Sequence, residues 1–482
     1  MDVGYDLLIS DNIYVETFRE TMPLLIAGIL LYLYYNRRIS AVDCLLYAFA
    51  SEAYSMIMIG PTFTGTFFIG IAFLIDQLHQ LARGQLYIRR EYLLLLVLPL
   101  ISSIAVFLII QFYKDPFYYP GDKYYLFYTR PVYFYLKTYL PLFAIGSKIV
   151  QEKEMYSFED FLTTVKRITK ISCVIAGIQI VAEYAFSNPD LDEVLGLQRR
   201  YLMEQSNDAF SLRVQALFSE PKMLSAFLSL AIPAFLRDRN YKMTIISLIT
   251  CLLTVSQTGW INLLAGALIF FVFKGVSSVR AKVILSLAAI VGLFMGVASS
   301  REYFIKQYTE NQKSAVYQLI FKRSSYRYNT EIWGKNNIIL GMPLQRDLEL
   351  PVVDFLKDEP YLLLSGYGGG NSTFIPPKYF FGQMNYDNRV AGIGGNNLNM
   401  RWFFILAEFG GFALLAYFLV LMRRNDNNSA FQNNYLAFVA VCFFFSQIDL
   451  IMIMVTMLSA YGAGEPQNSE ENESTGQYHM GV

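Results

Sequence analysis

The stretch Tyr92-Leu-Leu-Leu-Leu-Val-Leu-Pro99-Leu-Ile-Ser-Ser-Ile-Ala-Val-Phe-Leu-Ile-Ile-Gln-Phe112 decides the class of fold. It carries no charge over about 20 residues, the length a helix needs to cross the hydrocarbon of a bilayer. A helix satisfies all of its backbone groups internally, so lipid accepts it without further partners.

Runs of the same kind recur along the chain. By length and apolar content, spans are expected near 20–36, 40–59, 61–81, 92–112, 131–149, 168–186, 222–238, 242–256, 258–274, 281–299, 400–422 and 432–460, about twelve in all. The composition agrees, because 482 residues that are 54% hydrophobic and only 16% charged have too little polar surface for a water-soluble fold. The expected fold is therefore all-α, a polytopic membrane domain over 1–461. From Gly462 onward the chain is polar and acidic, and residues 462–482 are expected to form a disordered tail.

Charge excludes some partners and sets an orientation. Lys+Arg and Asp+Glu balance at 39 each with no basic stripe, so no nucleic-acid partner is expected. Arg37, Arg38, Arg83, Arg89, Arg90, Lys148, Lys153, Lys166, Arg167, Arg237, Arg239, Lys274, Arg280, Arg423 and Arg424 fall on alternate connections. By the positive-inside rule these connections are cytoplasmic. The opposite face then receives the segment 113–130, the loop 187–221 and one large loop, 300–399. The first apolar run has no basic region before it and no small-residue cleavage site after it, so it reads as a retained span.

Cys44, Cys173, Cys251 and Cys442 all lie in apolar runs and are expected to act as small hydrophobes, without disulfides or zinc. His79 and His479 are the only histidines, which argues against a histidine-based metal site. Asp43, Glu52 and Asp76 invite a proton-relay reading, but Asp43 and Glu52 are nine residues apart and do not form one site.

The sharpest local signal is Arg213-Val-Gln-Ala-Leu-Phe-Ser-Glu220-Pro221, which brings a guanidinium and a carboxylate to the outer mouth of a span. The planar guanidinium fork binds phosphate oxygens bidentately, and a carboxylate accepts a proton from a sugar hydroxyl. The same residues also read as a helix start, with Glu220 as the cap, Pro221 as the first helical residue and Arg213 paired to Glu220 or to Glu204. A second group, Arg323-Ser-Ser-Tyr326-Arg327, lies in the large loop ahead of Gly366-Tyr-Gly-Gly-Gly-Asn371. The arginines suit a phosphate clamp or a solvated helix face, and the glycines read as a flexible lid. Segment 112–139 carries thirteen Tyr or Phe residues, suited to an interfacial aromatic belt or to stacking on sugar rings.

Three stretches together resemble the O-antigen polymerase and ligase superfamily of lipid-linked glycosyltransferases. The first runs from Arg213 through Phe218-Ser-Glu220-Pro221 to Pro233. The second is Thr254-Val-Ser-Gln257-Thr-Gly259-Trp260, where relatives usually carry an arginine at the place of Gln257. The third is Asn396-Asn-Leu-Asn399-Met-Arg401 leading to Glu408-Phe-Gly410-Gly411, with Asn399 or a neighbour at the histidine position of the family. Arg327 is similar to the arginine that opens the family's large outer loop.

The resemblance implies a GT-C-like architecture in the bacterial inner membrane and an active site at the outer membrane boundary. It implies a polymerase that moves a growing glycan from undecaprenyl diphosphate onto a lipid-linked repeat unit, without metal or other cofactor. Arg213, Arg327 and Glu220 would be catalytic, and Arg323, Tyr326 and Asn399 would bind substrate. The partners implied are undecaprenyl-diphosphate-linked oligosaccharides, a chain-length regulator and a flippase. The missing histidine favours polymerase over ligase. A transporter of lipid-linked or small solutes is disfavoured because the charges lie in outer loops, and because no internal repeat of the transporter kind is present.

Overall fold

The computed structural model describes residues 13–57, 62–84, 90–113, 125–152, 156–186, 213–300, 302–303, 306, 310, 338–344, 349–379, 398, 400–422 and 428–445. The described residues are mostly helical. Their long elements are α1 (Ile13–Tyr35), α2 (Ala41–Ala50), α3 (Gly65–Ala82), α4 (Arg90–Tyr113), α5 (Tyr125–Phe134), α6 (Leu140–Gln151), α7 (Phe158–Phe186), α8 (Pro221–Arg237), α9 (Tyr241–Leu253), α10 (Gln257–Ala267) and α11 (Val279–Ser299). Two short helices, α12 (Glu349–Asp358) and α13 (Leu362–Ser365), precede α14 (Arg401–Leu421) and α15 (Ala430–Phe445). Two antiparallel hairpins, Met56–Ile57 with Thr62–Phe63 and Ile338–Ile339 with Met342–Pro343, accompany them.

Among the described residues three helices are long and apolar enough to cross a membrane: α3, α11 and α14, with mean hydropathy of 1.2, 2.2 and 2.1. Their outward side chains are apolar, including Ile75 on α3, Leu293 on α11 and Phe412 on α14. A soluble protein would hide these; a bilayer solvates them. Most other expected apolar runs also fold as helices. The run 40–59 differs, because α2 ends at Ala50 and the chain turns into a hairpin. Ten residues cannot cross a bilayer alone. The cause is polar: Glu52 turns back to accept the hydroxyl of Thr66 at 3.2 Å rather than continuing the helix. The last run, 432–460, is described only to Phe445, and the tail 462–482 lies outside the described residues.

Local signals explain the ends and bends. Ser40 and Asp43 form a capping box at the start of α2, Ser278 caps α11, and Pro221 begins α8, where its missing N–H costs nothing. Between α5 and α6 the helix widens into a π-turn over Tyr135–Tyr139, with the Leu140 N–H reaching back to the Tyr135 carbonyl. Pro141 follows directly. It has no N–H to donate and its ring crowds the preceding turn, so the widened turn relieves it.

One large apolar core runs through α1–α3, α6–α11, α14 and α15, and a smaller one lies beneath α12 and α13, around Phe355, Tyr367 and Phe374. Small residues set the closest approaches: a Cβ on Gly70 would lie 2.3 Å from Pro141, so α3 and α6 touch backbone to ring. At one end of the bundle, ion pairs tie the helices together. Lys148 meets Asp76 at 2.7 Å, Lys166 meets Asp238 at 2.5 Å, and Arg237 grips Glu159 with two nitrogens. This is the basic end that the charge pattern assigns to the cytoplasm. Asp43 and Asp76 belong to it, whereas Glu52 sits at the far end of α2.

Candidate functional site

Opposite the basic end, the segment that starts at Arg213 is pinned from three sides. The Arg213 Nε donates to the Thr254 carbonyl at 3.2 Å, and the Val214 N–H donates to the Leu253 carbonyl at 3.5 Å. Both contacts fix the segment to the turn between α9 and α10. Gln179, on α7, accepts the Ala216 N–H at 3.0 Å, and the Leu217 carbonyl accepts the Ala53 N–H at 2.9 Å. Phe218 plugs the segment into the core against Phe49 and Phe227.

Two strained residues face this junction. Ala216 has φ 50° and Val255 has φ 48°, the left-handed region that side chains with a Cβ avoid. Such conformations persist only where surrounding contacts impose them. The Gln179 hydrogen bond does so for Ala216. Val255 lies between Thr254, whose carbonyl holds Arg213, and Gln257, which opens α10. Gly259 then packs α10 on α8, since a Cβ there would lie 2.4 Å from the Ser225 hydroxyl. The first two stretches of the resemblance are thus one contiguous unit.

Glu220 occupies the cap position of α8 by backbone geometry, but its side chain makes no capping hydrogen bond. It pairs instead with Lys222 at 2.7 Å, both side chains remaining partly open to solvent. Arg213 itself donates its Nε toward Thr254, and Glu204, the other acid expected to pair with it, lies outside the described residues. The carboxylate stays near the guanidinium segment and accessible at the helix mouth.

The third stretch forms a second polar centre, built around a residue the sequence reading left out of the site. Glu408, fully buried on α14, accepts the Gly370 N–H at 2.8 Å and the Ser372 hydroxyl at 2.7 Å. Its own carbonyl receives the Gly368 N–H at 2.9 Å, and the Ala407 carbonyl receives the Tyr367 N–H at 2.8 Å. Ser102 of α4 donates to the carbonyls of both Ser365 and Glu408. The helix opens at Gly410, with φ 83°, where a Cβ would strike the Leu364 carbonyl oxygen at 2.1 Å. Arg130 of α5 lies over the Phe374 ring at 4.8 Å and within electrostatic reach of Glu408.

The glycine run 366–370 is therefore no flexible lid. Gly366–Gly369 are buried, and the run is clamped to the opened helix because glycine alone lets the two backbones approach so closely. Farther out in the loop, Tyr379 donates to Asp358 at 2.6 Å, and burial together with that carboxylate pushes its phenol above the ordinary range.

At the same end of the bundle, Lys137 of the π-turn lies over the Phe63 ring and within electrostatic reach of Glu52. Part of the aromatic segment thus packs as internal stacking, with Tyr133 edge-on to Phe63 and Tyr128 edge-on to Phe107. Of the expected site residues, Arg213 and Glu220 share one segment. Arg323, Tyr326, Arg327 and Asn399 lie outside the described residues. Glu408 and Arg130 were missed, although a carboxylate inside an apolar span, next to a Gly-Gly pair, is itself a signal. Among the described residues no group of three or more His, Cys, Asp or Glu is placed to hold a metal. Compared with family profiles, curated proteins and solved structures, the chain matches none.

Proposed function

We propose that the chain is a multi-pass glycosyltransferase of the bacterial inner membrane, with about twelve spans in a GT-C-like arrangement, that polymerises lipid-linked repeat units at the outer face. In this reading the donor is a growing glycan on undecaprenyl diphosphate and the acceptor a repeat unit on the same lipid. The product is O-antigen or a related surface polysaccharide, and a chain-length regulator and a flippase are its partners.

The observation that carries the reading is Arg213, pinned to the α9–α10 turn in the segment that leads to Glu220 and α8, at the end of the bundle opposite the basic connections. An acceptor sugar hydroxyl attacks the anomeric carbon of the donor, and the bond to the lipid diphosphate breaks. The diphosphate leaves with the electron pair, and the hydroxyl proton passes to Glu220. The Arg213 guanidinium is proposed to meet the leaving diphosphate, stabilising charge that grows in the transition state. Arg327, with Arg323, Tyr326 and Asn399, is proposed to complete the substrate contacts from the large loop.

Deletion of the gene in its host tests this directly. A polymerase mutant still transfers single repeat units, so lipopolysaccharide runs as one band just above the core with no ladder. Bare core with long chains accumulating on undecaprenyl diphosphate means a ligase; bare core with single units held on the cytoplasmic leaflet means an exporter. Either result, reversed by the plasmid-borne gene, overturns the polymerase reading.

A further inference from the structure

Arg401 is the first residue of α14. Its Nε is shielded from solvent and, among the described residues, has no hydrogen-bond partner. Its Cζ lies 5.3 Å from the centre of the Phe404 ring, and the hydroxyls of Tyr139 and Tyr417 fall within its electrostatic reach. Among the described residues no carboxylate forms an ion pair with it, whereas Lys148, Lys166, Lys222 and Arg237 each have one. Glu408, two turns further along the same helix, is engaged by Gly370 and Ser372.

A partly buried cation at the head of an apolar helix is costly unless an anion meets it. At a membrane boundary the anions at hand are phosphates carried on lipids. Guanidinium suits them better than ammonium does, because its fork binds two oxygens at once and stays charged. The Phe404 ring offers an apolar wall beside the guanidinium.

We propose that Arg401 is an anion-binding residue that receives the phosphate group of a lipid-linked substrate, at a place distinct from Arg213. Arg213 rests on the turn between α9 and α10, while Arg401 rests among α14, the π-turn and Phe404. The choice of lipid rests on the polymerase reading, whose reaction brings two lipid diphosphates, donor and acceptor, to one face. Two separate guanidinium sites give each of them a seat.

The test uses the full-length protein in neutral detergent, with thermal unfolding followed by intrinsic fluorescence and farnesyl diphosphate as the probe. In an Arg213→Gln background the probe is expected to raise the melting temperature. Adding Arg401→Gln is expected to abolish that rise, while the protein without probe melts no lower than its parent, because a partly buried cation has been removed. A double variant that keeps the full shift, or that melts well below its parent without probe, overturns the proposal. Arg401→Lys guards against misfolding: it keeps the charge, loses the fork and is expected to bind the probe about tenfold more weakly; unchanged affinity overturns the proposal. An Arg401-dependent shift produced by phosphatidylglycerol vesicles and not by farnesyl diphosphate also overturns it, in favour of an ordinary lipid contact. None of these readouts depends on polymer formation, so they stand apart from the gene-deletion phenotype.

Discussion

Glu408 and Gly370, 38 residues apart in the chain, are joined by a 2.8 Å hydrogen bond that fastens a loop to a helix of membrane-crossing length. Without this carboxylate the Gly370 N–H and the Ser372 hydroxyl lose their buried acceptor, at about 1–3 kcal/mol each. Glu408→Leu is therefore expected to melt well below wild type in purified form. Glu408→Gln keeps one acceptor oxygen and should lose less. Equal stability of Glu408→Leu and wild type would show that the clamp contributes nothing.

Gly410 predicts a sharper effect. With φ at 83° and the Leu364 carbonyl 2.1 Å from where a Cβ would stand, Gly410→Ala cannot be accommodated without separating the helix from the loop. The expected cost is about 3 kcal/mol or more. At Gly411 the nearest atom is 3.1 Å away and φ is ordinary, so Gly411→Ala should be milder. Comparing monodisperse yield on size-exclusion chromatography checks the order; a reversal contradicts the geometry.

Gln179 is expected to act through Arg213. Gln179→Leu keeps the volume but leaves the Ala216 N–H without its acceptor, costing about 1–3 kcal/mol and freeing a strained residue to relax. Polymer length and yield should fall, and Gln179→Glu, which retains an acceptor oxygen, should restore them in part. Full activity in Gln179→Leu would detach the strain at Ala216 from function.

Glu220 and Arg213 separate chemistry from stability. The Glu220–Lys222 pair is partly exposed, and such pairs are worth about 0–1 kcal/mol, so Glu220→Gln should melt like wild type. In the polymerase reading Glu220 takes the proton, so the same variant should nonetheless abolish polymerisation. Arg213→Lys keeps charge without the fork and should lose most activity at normal abundance. An active Glu220→Gln would reduce the carboxylate to a helix-mouth ion pair.

The sequence made the membrane class and the positions of most helices legible, because a lipid-facing helix declares itself through an uncharged run. It failed at 40–59, where hydropathy averaged over Glu52 hid a turn that the contacts of Glu52 with Thr64 and Thr66 accompany. Glu408 stood in a quoted stretch, yet its meaning depends on an N–H 38 residues away. The same distance misled the reading of the glycine run: composition shows freedom of the chain, while the partner that removes it lies elsewhere. Arg213 was found by its motif, but the Thr254 carbonyl that aims it becomes visible only when the α9–α10 turn is folded. Arg323, Tyr326, Arg327 and Asn399 lie outside the described residues.

The π-turn at Tyr135–Tyr139 makes the gene tolerant of a change in length at that one place. The Leu140 N–H reaches five residues back, so the turn holds one residue more than an α-turn, and losing one codon within it leaves a plain α-helix whose flanks keep their facing. The same loss in the regular helix on either side turns everything before it by about 100° relative to everything after it. Arg130 would then swing away from Phe374 and Glu408 in the second case and stay beside them in the first. An in-frame loss of a single codon within the turn should therefore be milder than the same loss in α6.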